Sequence, residues 1–186
     1  MAKLWGGETD KAVDNFPISG EPVPAPVIHW LGRIKAGAAR ANAELGLLDD
    51  GIATAIAEAG MAVATGKFDD QFPVDVFQTG SGTSTNMNTN EVVANLALEM
   101  LGYPKGTYDV IHPNDDVNKS QSTNDAYPTG FRLGVYALLE GLKRAVADLA
   151  DSFDAKAEEF ADVLKMGRTQ LQDAVPMTLG EEFDGY

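Results

Sequence analysis

The stretch DAYPTGFRLGVYALLEGLKRAVADLADSFDAKAEEFADVLK, residues 125–165, carries the longest periodic pattern in the sequence. Apolar side chains recur along it every three or four residues, from Val135 through Leu149 to Leu164. This spacing predicts one continuous helix with an apolar stripe. At a rise of about 1.5 Å per residue the helix is roughly 60 Å long, so its stripe needs equally long partners. The chain is therefore expected to belong to a longer protein or to pack against copies of itself.

The remaining sequence predicts shorter helices joined by polar connections, so the fold class is expected to be mainly α. Helical segments are recognised by apolar residues three and four positions apart, and their ends by Gly, Asp and Pro. The predicted helices span residues 27–45, 49–66 and 90–101, and a last one opens at Pro176; the predicted connections span residues 1–26, 68–90, 103–124 and 168–175.

The composition excludes several classes of function. The chain has 14 Lys plus Arg against 28 Asp plus Glu, a net charge of −14. This charge excludes a general nucleic-acid-binding surface and disfavours anionic membranes. There is no cysteine, which excludes disulfides, cysteine-ligated metals and thiol nucleophiles. With His29 and His112 as the two histidines, a His-rich metal site is excluded as well, and we expect no metal.

The sequence also lacks patterns for export or membrane insertion. No apolar run approaches the roughly 18 residues of a membrane-spanning helix. The N terminus lacks a basic segment followed by an apolar one. We therefore expect a cytoplasmic protein.

Three polar segments, residues 81–86, 120–125 and 167–173, come before predicted helices. Each combines hydroxyl or amide side chains with a helix N terminus, where backbone N–H groups and the helix dipole attract anions. Such a site suits a small carboxylate better than a nucleotide. The alternative is that Ser, Thr, Asn and Asp serve here only as helix caps. For His112, a polar surface turn is the alternative to a ligand contact.

The order of residues in these segments, and not only their polar composition, is informative. Together with two further motifs, they resemble the aspartase/fumarase superfamily over nearly the whole chain. The motifs are NFPISG (15–20), DQFPVD (70–75), GSGTSTNMNTNE (80–91), HPNDDVNKSQSTND (112–125) and GRTQLQDAVPMTLG (167–180).

The resemblance implies a fold and an assembly. Members have a small helical N-terminal domain followed by a central bundle of very long helices, so residues 1–120 would form the first domain and residues 121–186 the first part of the second. It also implies a homotetramer in which each active site gathers residues from three subunits. The implied ligand is a small dicarboxylate, and no cofactor is implied.

The resemblance further implies roles for individual residues in a reaction that releases fumarate. The reacting carboxylate would be held by Thr83, Ser122 and Thr123, the leaving group by Asn124 and Gln170, and the second carboxylate by Thr169. A possible second anion site would be formed by His112, Asn114 and Asp115.

Position 170 separates two activities. Members that hydrate fumarate resemble one another in carrying His here, which can transfer a proton, whereas this chain has Gln170. Gln cannot shuttle a proton but accepts a hydrogen bond from an ammonium group. This predicts reversible elimination of ammonia from L-aspartate. Fumarate hydration stays the alternative, because residues 77–82 and His112-Pro113 resemble the hydrating members more closely.

Two departures from the family concern the chain itself. A further N-terminal segment is absent, and so is the flexible serine loop that supplies the catalytic base and a substrate-binding lysine. We therefore expect an N-terminal portion of a lyase that contains no catalytic base and is inactive alone. The other possibility is a non-catalytic piece that serves folding or assembly.

Overall fold

The structure, a computed structural model, describes residues 2–186. It is mainly α-helical, as the sequence predicts, and the described residues include one two-stranded sheet. The chain divides into two compact units, Met1–Ala137 and Leu138–Tyr186. The domains expected at residues 1–120 and 121–186 stay a prediction. Within the described residues, no helix combines the length and the apolar character needed to cross a membrane.

Helices make up most of the first unit. In chain order they are α1 (Gly7–Asn15), α2 (Ala25–Glu44), α3 (Asp50–Val63), a 3₁₀ turn (Asp69–Gln71), α4 (Thr83–Met100), a π-helical turn (Pro113–Val117) and the beginning of α5 (Thr123–Glu159).

The α2 and α3 helices confirm the predictions from periodicity and capping. The side chain of Asp49 accepts hydrogen bonds from the backbone N–H groups of Gly51 and Ile52 at 2.9 and 3.1 Å, and so caps α3. The two helices approach closely where a Cβ on Gly32 would lie 2.5 Å from the carbonyl oxygen of Gly60. This contact fixes the side of α2 that faces the interior.

The α4 helix lies at the centre of the unit and begins earlier than predicted. Its first residue is Thr83, whereas the sequence predicts a start near Asn90. The early turns are rich in Thr and Asn, which favour caps and turns over helix interiors. Here the side chains of Thr85, Asn86 and Thr89 are buried and hydrogen-bonded, as in the bond from Thr89 Oγ1 to the Thr85 carbonyl at 2.9 Å. Tertiary burial therefore overrides the local preference.

The α1 helix lies within a stretch that the sequence predicts to be irregular. Its first N–H groups are satisfied by a distant carboxylate: Glu91 accepts from the backbone N–H of Gly6 and Glu8 at 3.0 Å and of Thr9 at 3.1 Å. The Thr9 hydroxyl donates to the same carboxylate at 2.5 Å. A negative charge at a helix N terminus stabilises it. Because this partner on α4 is more than 80 residues away in sequence, local pattern reading misses α1.

Replacing Glu91 should therefore destabilise the first unit. We expect Glu91→Gln to lower the free energy of unfolding by about 2 kcal/mol, because an amide NH₂ would face backbone donors and leave some of them unpaired. Urea unfolding followed by circular dichroism measures the change. Glu99→Gln, at an exposed position on α4, is the matched control and should change stability little. Equal effects of the two substitutions would contradict the proposed anchoring role.

The second unit contains the rest of α5, the strands β1 (Leu164–Thr169) and β2 (Gln172–Thr178), and α6 (Leu179–Asp184). The strands pair antiparallel, with Leu164 opposite Thr178 and Thr169 opposite Gln172. The helix predicted at residues 125–165 is largely confirmed, but it ends at Glu159.

Residues 168–175 and Pro176 correct the sequence prediction. They lie in the β-hairpin, not in a connection that leads into a helix, and the last helix begins at Leu179. Hairpins of this length are usually signalled by Asn-Gly or Asp-Gly, whereas the turn here is Gln170-Leu171. The helix start has instead a capping box between Thr178 and Glu181.

The apolar side chains of α5 in the second unit are exposed, and we expect the chain to self-associate through them. Leu138, Leu142 and Leu149 are 59%, 58% and 53% exposed. Contiguous apolar surface of this kind drives association. Sedimentation velocity should show a sedimentation coefficient that rises with concentration, and Leu142→Glu should reduce the rise. Leu47→Glu, at a similarly exposed leucine outside α5, is the control; a monomer at every concentration would contradict the prediction.

Candidate active site

Thr83 stands at the N terminus of α4, where its exposed hydroxyl lies 2.8 Å from the Ser81 hydroxyl. The turn into the helix requires glycine at position 82: its φ is 74°, and a Cβ there would lie 2.3 Å from the ring of Tyr127. The first turn of a helix presents backbone N–H groups that lack intrahelical acceptors. The predicted carboxylate contact at Thr83 thus lies where an anion is attracted.

Ser122, Thr123 and Asn124 lie at the N terminus of α5. The side-chain NH₂ of Asn86, one turn after Thr83 on α4, donates to Thr123 Oγ1 at 3.3 Å. The Ser122 hydroxyl accepts from the backbone N–H of Asn124 at 3.1 Å. The structure therefore brings the N terminus of α4, which carries Thr83, close to the N terminus of α5, which carries these three residues.

Beneath this cluster lies Lys35 of α2, whose side chain is fully buried. Its ammonium donates to Asn86 Oδ1 at 2.8 Å, to Asn118 Oδ1 at 2.8 Å and to Gln121 Oε1 at 3.0 Å. Three N–H groups thus meet three amide oxygens. Burial lowers the pKa of Lys35 to about 7.

His112, Asn114 and Asp115 lie together at the π-helical turn. His112 Nδ1 accepts from the backbone N–H groups of Asn114 and Asp115, both at 3.2 Å. These two backbone donors are therefore engaged, and an anion would meet the other ring nitrogen. An adjacent cavity of about 340 Å³ is lined by His112, Asn114 and the carboxylate residues Glu8 and Glu91, among others. The nearby negative charge makes this a less favourable anion site than the cluster around Thr83.

Thr169 and Gln170 belong to the second unit. Thr169 ends β1, and Gln170 opens the exposed turn to β2, where Gln170 and Leu171 have φ values of 51° and 63°. Left-handed backbone at residues other than glycine costs on the order of 1–3 kcal/mol each and is found preferentially at functional sites. It stays a prediction that these two residues share a site with Thr83 and residues 122–124.

The sequence reading missed the polar network around Lys35. A lysine on the helical stripe of α2 is usually expected at the surface, with its charge in water. The one signal available was position: Lys35 lies four residues after Leu31 and four before Ala39, both buried, and so on the interior face. Asn86, Asn118 and Gln121 lie within the motifs that the sequence singled out, but their partner could not be read from them.

The chain has relatives among known proteins. Among curated proteins, it is 53% identical over 184 residues to aspartate ammonia-lyase from Helicobacter pylori strain J99, a match that covers 98% of the chain and 39% of the relative. It is 49% identical over 185 residues to fumarate hydratase class II from Methylorubrum extorquens, covering 99% of the chain and 39% of the relative. The chain thus spans about 39% of the length of these relatives.

Solved structures are similar over the whole chain. A fumarate lyase:delta crystallin from Brucella melitensis, bound to cobalt, aligns with a TM-score of 0.88 at 49% identity, covering 100% of this chain and 41% of that one. A class II fumarase from Schistosoma mansoni aligns with a TM-score of 0.84 at 36% identity, covering 100% and 39%. Residues 1–186 match the model of a protein family whose description is "Lyase". Because that family covers the full chain and relatives with either activity share about half of its residues, the chain belongs to the aspartase/fumarase superfamily of lyases.

Proposed function

We propose that the protein containing this chain is an aspartate ammonia-lyase, which reversibly converts L-aspartate to fumarate and ammonia. The observation that carries the proposal is that the N termini of α4 and α5, which carry Thr83 and Ser122-Thr123, lie close together and are joined by the bond from Asn86 to Thr123. Relatives named aspartate ammonia-lyase, from Helicobacter pylori at 53% and Escherichia coli K12 at 52% identity, support this choice of substrate.

The difficult step is removal of a proton from the carbon next to a carboxylate. A base, assigned to no residue of this chain, takes that proton, and the electron pair spreads onto the carboxylate as a dianionic aci form. The pair then forms the carbon–carbon double bond as the C–N bond breaks and ammonia leaves with its bonding electrons. Hydroxyl donors from Thr83, Ser122 and Thr123 would stabilise the developing charge, because preorganised donors lower the energy of such anions.

The other end of the substrate would be held by residues at the β-hairpin turn and by Asn124. Thr169 would donate to the second carboxylate. The side-chain oxygens of Gln170 and Asn124 can accept hydrogen bonds from the substrate ammonium group. Ammonia leaves without a general acid, so an amide is sufficient at position 170.

A homotetramer is part of the proposal, and the exposed leucines of α5 in the second unit support it. A second anion site at His112, Asn114 and Asp115 is also part of the proposal, with the free ring nitrogen of His112 facing the anion. The backbone donors at that turn are already bonded to His112.

Fumarate hydratase is the second candidate. The 49% identity to fumarate hydratase class II of Methylorubrum extorquens favours it. Gln170 weighs against it, since this side chain cannot transfer a proton to departing hydroxide.

The absorbance of fumarate in the ultraviolet tests both candidates. Protein expressed from the whole reading frame that encodes this chain should form fumarate from L-aspartate, and much more slowly from L-malate. The reverse preference would identify a hydratase. No fumarate from either substrate would overturn the proposed lyase activity and favour a non-catalytic role.

A further inference from the structure

Lys35 places its amino group in the interior without a charged partner. Its side chain is 0% exposed, and among the described residues no carboxylate lies within 4.0 Å of its ammonium. Burying a charged group costs free energy, and such a group can often be replaced together with its partners by apolar residues of similar volume without loss of stability. Stability is therefore a poor explanation for a lysine here, and its effect on its three amide neighbours is the better one.

An ammonium group can only donate, so it determines which way each neighbouring amide faces. Asn86, Asn118 and Gln121 each present oxygen to Lys35 and direct their NH₂ groups elsewhere. The NH₂ of Asn118 donates to the Gln121 carbonyl at 3.1 Å, and that of Gln121 to the Val117 carbonyl at 2.9 Å. These two hydrogen bonds join residues of the turn before α5 to one another and so stabilise its conformation.

The orientation of Asn86 matters most for the candidate site. With its oxygen on Lys35, its NH₂ donates to Asn118 Oδ1 at 3.1 Å and to Thr123 Oγ1 at 3.3 Å. A hydroxyl that accepts one hydrogen bond still has its own proton to donate. The Thr123 hydroxyl is therefore left as a donor for another acceptor, as binding of a carboxylate requires.

A second contact from α2 holds the same turn. Asn42, two helical turns after Lys35 on the same face, donates to the Lys119 carbonyl at 3.0 Å. Its side-chain oxygen accepts from the Ser120 hydroxyl at 2.9 Å. Ser120 has a φ of 59°, so this turn is held in a conformation unusual for serine. The α2 helix thus fixes the turn at two points directly before Ser122.

We propose that Lys35 is a positioning residue for substrate binding: by fixing the amide orientation of Asn86, it keeps the Thr123 hydroxyl aimed as a donor to the substrate carboxylate. This inference rests on the proposed function, because it assumes that Thr123 contacts the substrate.

The first arm of the test needs no activity. In the ¹⁵N-labelled chain, Lys35→Met removes the donors while keeping an apolar stem of similar length. The side-chain NH₂ resonances of Asn86 and Asn118 should shift, and their exchange with solvent should accelerate at least about tenfold, as expected when a buried hydrogen bond opens. Backbone resonances of α3 report whether the fold survives. Arg40→Met, at an exposed position on α2, is the control.

The second arm measures steady-state kinetics in protein from the whole reading frame. Lys35→Met should lower kcat/KM for L-aspartate about 10- to 100-fold, the range expected when a substrate-binding group is misplaced. In a Thr123→Val background, Lys35→Met should lower kcat/KM less than about twofold, because the hydroxyl that Lys35 positions is already absent. Asn86→Ala keeps Lys35 but removes the amide that joins it to Thr123, so it should lower kcat/KM to a similar extent. This variant replaces Lys35→Met in the test if Lys35→Met fails to fold.

The two arms separate the two proposals. The positioning role would be overturned if the Asn86 resonances did not move in Lys35→Met. It would also be overturned if Lys35→Met lowered kcat/KM as much in the Thr123→Val background as in the unsubstituted protein. If the unsubstituted protein forms no fumarate, the proposed function fails, and the NMR arm alone decides whether Lys35 orients Asn86.

Discussion

Thr83→Ala is expected to lower kcat for ammonia elimination about 10²- to 10³-fold, equivalent to about 2.7–4 kcal/mol in the barrier. The hydroxyl of Thr83 stands at the N terminus of α4, and its proposed partner is the carboxylate that becomes an aci dianion. Charge on that group increases in the transition state, so a lost donor costs more there than in the bound substrate. The value of kcat should therefore fall more than KM rises.

The Thr83 prediction can be tested with two controls. Thr83→Ser keeps the hydroxyl and should retain most of the activity. Thr54→Ala removes an exposed hydroxyl from α3 and should have no effect on turnover. Rates follow from the ultraviolet absorbance of fumarate, with L-aspartate and with L-malate. Because Thr83 would stabilise an intermediate common to both reactions, any activity present should fall with either substrate; an unchanged kcat would remove Thr83 from the site.

Gln170→His is expected to lower kcat/KM for L-aspartate roughly 10- to 150-fold. This corresponds to losing one hydrogen bond to a charged group, about 1.5–3 kcal/mol. The proposed partner of the Gln170 side-chain oxygen is the ammonium group of the substrate. Histidine tolerates left-handed backbone better than most residues, so it can adopt the φ of 51° at this position and the turn should persist. It also titrates near neutral pH, so use of L-malate should be retained or increase.

Gln172→His is the matched control for position 170. It introduces the same side chain into the same hairpin, two residues further on at the start of β2. It should leave both substrates nearly unaffected. If Gln170→His leaves the kinetics with L-aspartate unchanged, position 170 does not contact the amino group. The main argument for aspartate over malate would then fail.

The sequence predicts the elements whose formation depends on neighbouring residues and misses those that depend on distant parts of the chain. The α2, α3 and α5 helices follow from apolar spacing and capping, which act over a few residues, and the sequence predicts all three. The α1 helix depends on a carboxylate of α4, and the hairpin on a turn without glycine or asparagine. Neither cause leaves a local pattern.

The candidate site divides in the same way. The motifs pointed to Thr83 and to residues 122–124 because hydroxyl and amide side chains before a helix are visible in any sequence. Their proximity depends on the contact of Gly82 with Tyr127 and on the bond from Asn86 to Thr123, which join segments about 40 residues apart.

The sequence by itself determined the helical class, the family, the acidic charge and which side chains could bind a carboxylate. These depend on residue identity and on short-range spacing. The tertiary structure alone decided that the early turns of α4 are helical, that α1 is anchored by Glu91, and that a buried lysine orients the amides beneath Thr123. The physical reason is that a buried polar group needs a partner, and folding brings that partner from a distant part of the chain.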